Sequence, residues 1–137
     1  MKMEIFYEEN KKVNANFNGH ITKTDQPANA GGDDSAPSPF DLFLTSIGTC
    51  AGIYVKGFCE QRNIPTDNIK IIQTMNFNPE LKLIDKISLD IQLPPEFPEK
   101  YRSAVISSAN LCTVKKHLMN PPKLEVTSSI NENVLVN

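Results

Sequence analysis

The chemistry available to this chain rests on three thiols, Cys50, Cys59 and Cys112. Cys50 lies in Ser-Ile-Gly-Thr-Cys50-Ala-Gly and Cys112 in Ala-Asn-Leu-Cys112-Thr-Val-Lys-Lys-His-Leu, and in both stretches a helical pattern turns the thiol inward. A cysteine attacks only as thiolate, and its pKa falls beside cations or a helix N-terminus and rises in apolar surroundings. Cys50 is expected mid-helix, where the dipole helps little, so its activation is expected from a side chain elsewhere in the fold. Lys115 and Lys116 follow Cys112 at i+3 and i+4, close enough to bias it toward thiolate, although lysines in a last turn also serve the helix dipole. Nine helical residues separate Cys50 from Cys59, a rise of roughly 13 Å with the side chains on opposite sides of the axis. Those two cannot bridge, and Cys59 reads as packing. A packed, inert thiol is also the ordinary reading of the other two; a working pair, if these thiols form one, is Cys50 with Cys112.

Other chemistries find less support. There is no Cys-x-x-Cys and no His-x₃-His, only scattered cysteines with His20 and His117, so no metal is expected. A cysteine hydrolase needs a histidine within hydrogen-bond reach of Cys50, and the sequence places neither histidine there. No nucleotide-binding glycine motif appears, and in Gly31-Gly32-Asp33-Asp34 the acids would repel phosphate. Charge is balanced, 14 Lys+Arg against 16 Asp+Glu for a net of −2, without the basic runs that bind nucleic acid. The start lacks the apolar stretch of a signal peptide, and no segment reads as the roughly 20 apolar residues of a membrane span. The expectation is a cytoplasmic protein whose cysteines stay reduced, with no membrane or nucleic-acid partner.

The elements that must position these thiols are legible in outline. A length of 137 residues fits one domain, 1–137, with a single modest core. The N-terminal stretch alternates weakly through Ile5, Tyr7, Val13, Ala15 and Phe17, and Asn18-Gly19 before Ile21 predicts a tight hairpin. From Thr24 to Ser38 there is little to bury, and a loop this long is either functional or disordered. Ser38-Pro39-Phe40-Asp41 supplies an N-cap, a proline at N1 and an acid at N3, the start of a long central helix that Asn63 and Pro65 bring to an end. Phe40, Phe43, Leu44, Ile47, Ala51, Tyr54, Val55 and Phe58 form its apolar stripe. Gly48 and Gly52 lie on a second face, where another backbone, from a helix or a second subunit, is expected to approach. Residues 69–77 and 83–93 read as two strands joined near Asn78-Pro79. A helix carrying Tyr101, Val105, Ser108 and Cys112 on one face follows Pro94–Pro98, then a short helix from Thr113 to Leu118. Residues 123–130 read as a final strand.

Two of these segments resemble the OsmC/Ohr family. Ala36-Pro-Ser-Pro-Phe-Asp-Leu-Phe-Leu-Thr-Ser-Ile-Gly-Thr-Cys50 resembles that family's entry to its central helix, and Cys112-Thr-Val-Lys-Lys-His-Leu118 is similar to its second cysteine motif. The resemblance implies an α+β fold, with antiparallel sheets wrapped around long central helices in an intertwined homodimer. It implies reduction of organic hydroperoxides, with Cys50 attacking the peroxide, Cys112 resolving the sulfenic acid as a disulfide, and an external dithiol, rather than a bound cofactor, resetting the pair. The peroxidase branch uses an arginine from the N-terminal meander and a glutamate near the start of the central helix. Here the only arginines are Arg62 and Arg102, and Phe40 stands where that glutamate would fall, which brings the chain closer to the YhfA-like branch. Asp41, His20, Lys23 and Lys115 are the candidate supporting residues. Asp41 lies about 180° round the helix from Cys50, and its capping box already accounts for it. The competing reading is a binding or redox-sensing protein that takes a small acyl or sulfur-containing ligand in an apolar dimer-interface cavity beside Phe43, Ile47 and Tyr54.

Overall fold

The computed structural model describes residues 1–134; the last three residues of the expected domain lie outside the described ones. Strands β1 (Glu4–Tyr7), β2 (Val13–Phe17) and β3 (His20–Thr22) form an antiparallel meander in that order. Asn18 and Gly19 take the positive φ angles, 50° and 79°, that the β2–β3 hairpin requires. Strands β4 (Lys70–Asn78) and β5 (Leu83–Gln92) pair antiparallel in a second, two-stranded sheet with a register shift at Asn76/Phe77. The helices are α1 (Pro39–Glu60), α2 (Arg102–Ala109) and α3 (Thr113–Met119).

Helix α1 begins as its sequence dictates. Ser38 Oγ accepts from the Asp41 amide, the Asp41 carboxylate accepts in return from the Ser38 amide, and Pro39 occupies the first turn. Val55, Phe58 and Cys59 on its C-terminal half meet Val105 of α2 and Phe97 in a small buried core, with Ile69, Ile71, Ile91 and Tyr101 around it. By length and composition this helix could cross a membrane, which corrects the expectation that no segment would. The cause is the breadth of its apolar stripe together with the small residues of its second face. It packs on α2, α3 and β4.

The long loop is ordered by one carboxylate. Asp25 is fully buried and accepts from the amides of Gln26, Asp33 and Ser35 at 2.7, 3.2 and 3.0 Å and from the Ser35 hydroxyl at 2.7 Å. These donors, the Ser35 hydroxyl first, hold its pKa at about 2. Gly32 is confined to a place where a Cβ would lie 1.9 Å from the Gln26 carbonyl oxygen.

Three expectations are corrected. Within the chain, what approaches Gly48 and Gly52 is not a helix but β4 side chains. A Cβ at Gly48 would lie 2.6 Å from Gln73 Oε1 and one at Gly52 would lie 3.8 Å from Ile71 Cδ1, while Gln73 Nε2 donates to the Leu44 carbonyl at 3.0 Å. Cys112 does not ride on α2: the helix stops at Ala109, the chain turns through Asn110 and Leu111, and Cys112 becomes the N-cap of α3. Residues 123–130 form no strand, because within the chain no sheet edge pairs with them. Leu124, Val126 and Ile130 are almost wholly exposed.

Candidate functional site

Cys50 and Cys112 meet where the middle of α1 passes the start of α3. The Cys112 side chain is buried, and its Sγ accepts the Lys115 amide at 3.4 Å, the bond that caps the helix. Cys50 lies beside Cys112 and the first residues of α3, and the Val114 amide, the Cys112 thiol and the Thr113 amide all act on its sulfur. Of the amides at the head of α3, that of Lys115 is bonded to the Cys112 sulfur, and those of Thr113 and Val114 favour a negative charge on Cys50. Such donors favour a negative sulfur, since an anion accepts hydrogen bonds more strongly than a neutral thiol.

The two thiols are driven apart in acidity. The Val114 amide, with help from the Cys112 thiol and the Thr113 amide, lowers the Cys50 pKa from its ordinary value against the opposing effect of burial. Burial pushes Cys112 up, and the neighbouring Cys50 adds to that rise. At the far end of α1 Cys59 is wholly buried in the core and is also raised by burial. This bears on two sequence expectations. One group that lowers the Cys50 pKa is a side chain elsewhere in the fold, the Cys112 thiol, but the Val114 amide, which the sequence does not mark, outweighs it, and Cys112 is raised by burial rather than drawn toward thiolate by the lysines that follow it. Lys115 instead donates to Asn110 Oδ1 at 2.5 Å.

The other candidate supporting residues lie elsewhere. Asp41 is spent in the capping box, beside the cleft that Gly48 and Gln73 share. His20 pairs with Phe17 at the exposed edge of the meander, and Lys23 follows that strand; neither bonds to the thiol pair. Arg62 stacks on Phe58, its guanidinium carbon 3.7 Å from the ring centroid, and Arg102 pairs with Glu99, so no arginine serves the thiols. Among the described residues no three His, Cys, Asp or Glu side chains converge as metal ligands would.

An apolar cavity of about 280 Å³ opens beside Cys112, lined by Ile47, Leu89, Ile106 and Leu118 among others, with Lys115 and Asn110 at its polar end. Ile47, one of the three residues expected beside a dimer-interface cavity, lines this one within the chain. Phe43 stacks on Phe40 near the helix start, and Tyr54 faces the groove between α1 and α2. Sequence reasoning missed the role of Tyr54: its hydroxyl is 3.0 Å from Thr113 Oγ1, and Ser108 Oγ donates to its carbonyl at 3.0 Å. Its spacing of four residues from Cys50 was the available signal, because i and i+4 share a helix face.

Comparison with known proteins agrees with this architecture. A family model described as OsmC-like protein matches residues 32–127. A putative osmotic stress induced and detoxification response protein from Psychrobacter arcticus has the same fold, with a TM-score of 0.66 at 20% identity over 85% of this chain and 86% of the other. A putative organic hydroperoxide resistance protein from Vibrio cholerae, solved with captopril in one of its active sites, gives 0.54 at 13% identity over 88% and 86%. The organic hydroperoxide resistance protein OsmC from Legionella pneumophila gives 0.51 at 14% identity over 85% and 87%. No curated protein sequence matches the chain.

Proposed function

The chain belongs to the OsmC-like protein family, and from that premise we propose that it is a cytoplasmic, homodimeric thiol protein that reduces organic hydroperoxides, with Cys50 as nucleophile and Cys112 as resolving thiol. The observation that carries this reading is the meeting of Cys50 with the Cys112 cap at the head of α3, where the two thiols are shifted in opposite directions, Cys50 down and Cys112 up. In the absence of the peroxidase branch's arginine, the α3 amides take over the stabilisation of the thiolate.

The Cys50 thiolate attacks one peroxide oxygen and the O–O bond breaks. The alkoxide leaves, takes up a proton as the alcohol, and Cys50 is oxidised to a sulfenic acid. Cys112 sulfur then attacks the sulfenic sulfur, and water departs with the Cys112 proton as the disulfide closes. The adjacency of the two thiols favours that closure over further oxidation of the sulfenic acid. An external dithiol reduces the disulfide by two exchanges and leaves as its own disulfide.

The dimer reading is supported by surface. The chain exposes 11143 Å², whereas a folded monomer of its mass exposes about 7,100 Å². No strand of the meander makes an extensive contact with a helix of its own chain, and Ile5, Tyr7 and Ile21 stand exposed on it. A second copy would cover such a face at the scale of a permanent interface.

The apolar cavity at Cys112 favours a second reading, in which a small acyl or sulfur-containing ligand is held there without turnover. Mass spectrometry after brief exposure of the reduced protein to equimolar cumene hydroperoxide separates the two. Rapid formation of a Cys50–Cys112 linkage, lost in Cys50→Ser and Cys112→Ser, is the expected result. Thiols left unmodified, or oxidised slowly and without selectivity, refute the peroxidase and leave the ligand reading.

A further inference from the structure

We infer that Tyr54 is a positioning residue for the thiol pair, holding through the Thr113 side chain the α3 amides that face Cys50. The inference rests on the reading of Cys50 as the reactive thiol, and it concerns how that thiol is prepared rather than what it attacks.

The geometry forms one short chain of contacts. Tyr54 stands one turn beyond Cys50 on α1, so its hydroxyl and the Cys50 sulfur project from the same helix face. The hydroxyl is 3.0 Å from Thr113 Oγ1, and the amides of Thr113 and of its successor Val114 are among the groups that lower the Cys50 pKa. Behind it, Ser108 on α2 donates to the Tyr54 carbonyl, so the same residue ties α1 both to α2 and to α3. Helix α3 has only seven residues, too few to hold its own first turn in place, and it needs an external anchor. The Cys112 cap fixes the amide of Lys115; the Tyr54–Thr113 contact fixes the residue at the other side of that turn.

The groups that act on Cys50 come from α3 and its cap: the Val114 amide, the Cys112 thiol and the Thr113 amide. Lys115 is engaged with Asn110, and His117 bonds through Nδ1 to the Thr113 carbonyl at 2.8 Å. Among the described residues no charged side chain adds to them, so a small displacement of the amides is felt directly.

The test is the pH profile of Cys50 alkylation by iodoacetamide, followed by peptide mass spectrometry in the full-length protein, with no peroxide present. Tyr54→Phe keeps the ring and removes the hydroxyl; Thr113→Val removes the other half of the contact; Thr113→Ser retains it. The expected result is a midpoint raised by about half a pH unit in Tyr54→Phe and in Thr113→Val, equivalent to alkylation about threefold slower below the midpoint. The double variant moves no further than either single one, and Thr113→Ser stays with the parent. Superimposable profiles for parent and Tyr54→Phe, or additive shifts in the double variant, overturn the inference. Should Tyr54→Phe fail to fold, Thr113→Val decides alone, an unshifted profile again overturning it. Because no peroxide is used, a protein without peroxidase activity fails the mass-spectrometric assay above and leaves this test intact.

Discussion

Alanine at Gly48 sets two effects of similar size against each other, and the structure decides the balance. Alanine in place of glycine within a helix stabilises by about 1 kcal/mol. At Gly48, however, the new Cβ would lie 2.6 Å from Gln73 Oε1, closer than side-chain carbons approach oxygen, so the Gln73 amide must retreat. Retreat breaks the 3.0 Å bond from Gln73 Nε2 to the Leu44 carbonyl. That bond is worth about 1 kcal/mol, and less where the freed amide reaches water, as the half-buried Gln73 can. Gly48→Ala is therefore expected to change stability by less than about 0.5 kcal/mol. In a Gln73→Ala background nothing opposes the helix, and the same substitution should stabilise by about 1 kcal/mol. Urea unfolding of the four proteins at one fixed protein concentration measures the coupling. A gain of equal size in both backgrounds refutes the Gln73 contact. A loss of about 2 kcal/mol or more in both would mean that a further backbone lies against Gly48.

Three further outcomes follow from the same physical reasoning. Cys112→Ala removes a thiol that helps lower the Cys50 pKa and should raise the Cys50 alkylation midpoint; because the folded-state pKa of Cys50 is depressed, its contribution to stability is present above the ordinary thiol pKa of about 8.5 and fades as pH falls through the folded value. Asp25 has a folded pKa of about 2, so the stability it contributes is present above the ordinary carboxyl range and lost as pH falls through that value. Asp25→Asn should flatten acid unfolding over that window and expose the 24–38 loop to limited proteolysis. Val105→Ala, at a fully buried position, should cost about 2 kcal/mol by urea unfolding, from two lost methyl groups and the cavity they leave.

What the sequence determined by itself is local. The Ser38-Pro39-Asp41 cap, the Asn18-Gly19 hairpin and the alternation of β5 each depend on neighbours a few residues away, so residue type and spacing are enough to place them. The two cysteine motifs likewise carried the family. The tertiary structure alone decided the rest. Which groups lower the Cys50 pKa depends on a helix sixty residues downstream, and backbone amides leave no mark in a sequence. The break after Ala109 that turns Cys112 from an inward-facing helical residue into a cap was invisible to a periodicity that runs on through Ser108. Gly48 signalled a close approach, but not that a glutamine would make it, since steric room records only that something is near. Residues 123–130 carry the alternation of a strand and form none in the chain, because a strand needs an edge to pair with and sequence alternation supplies only one side of that ladder.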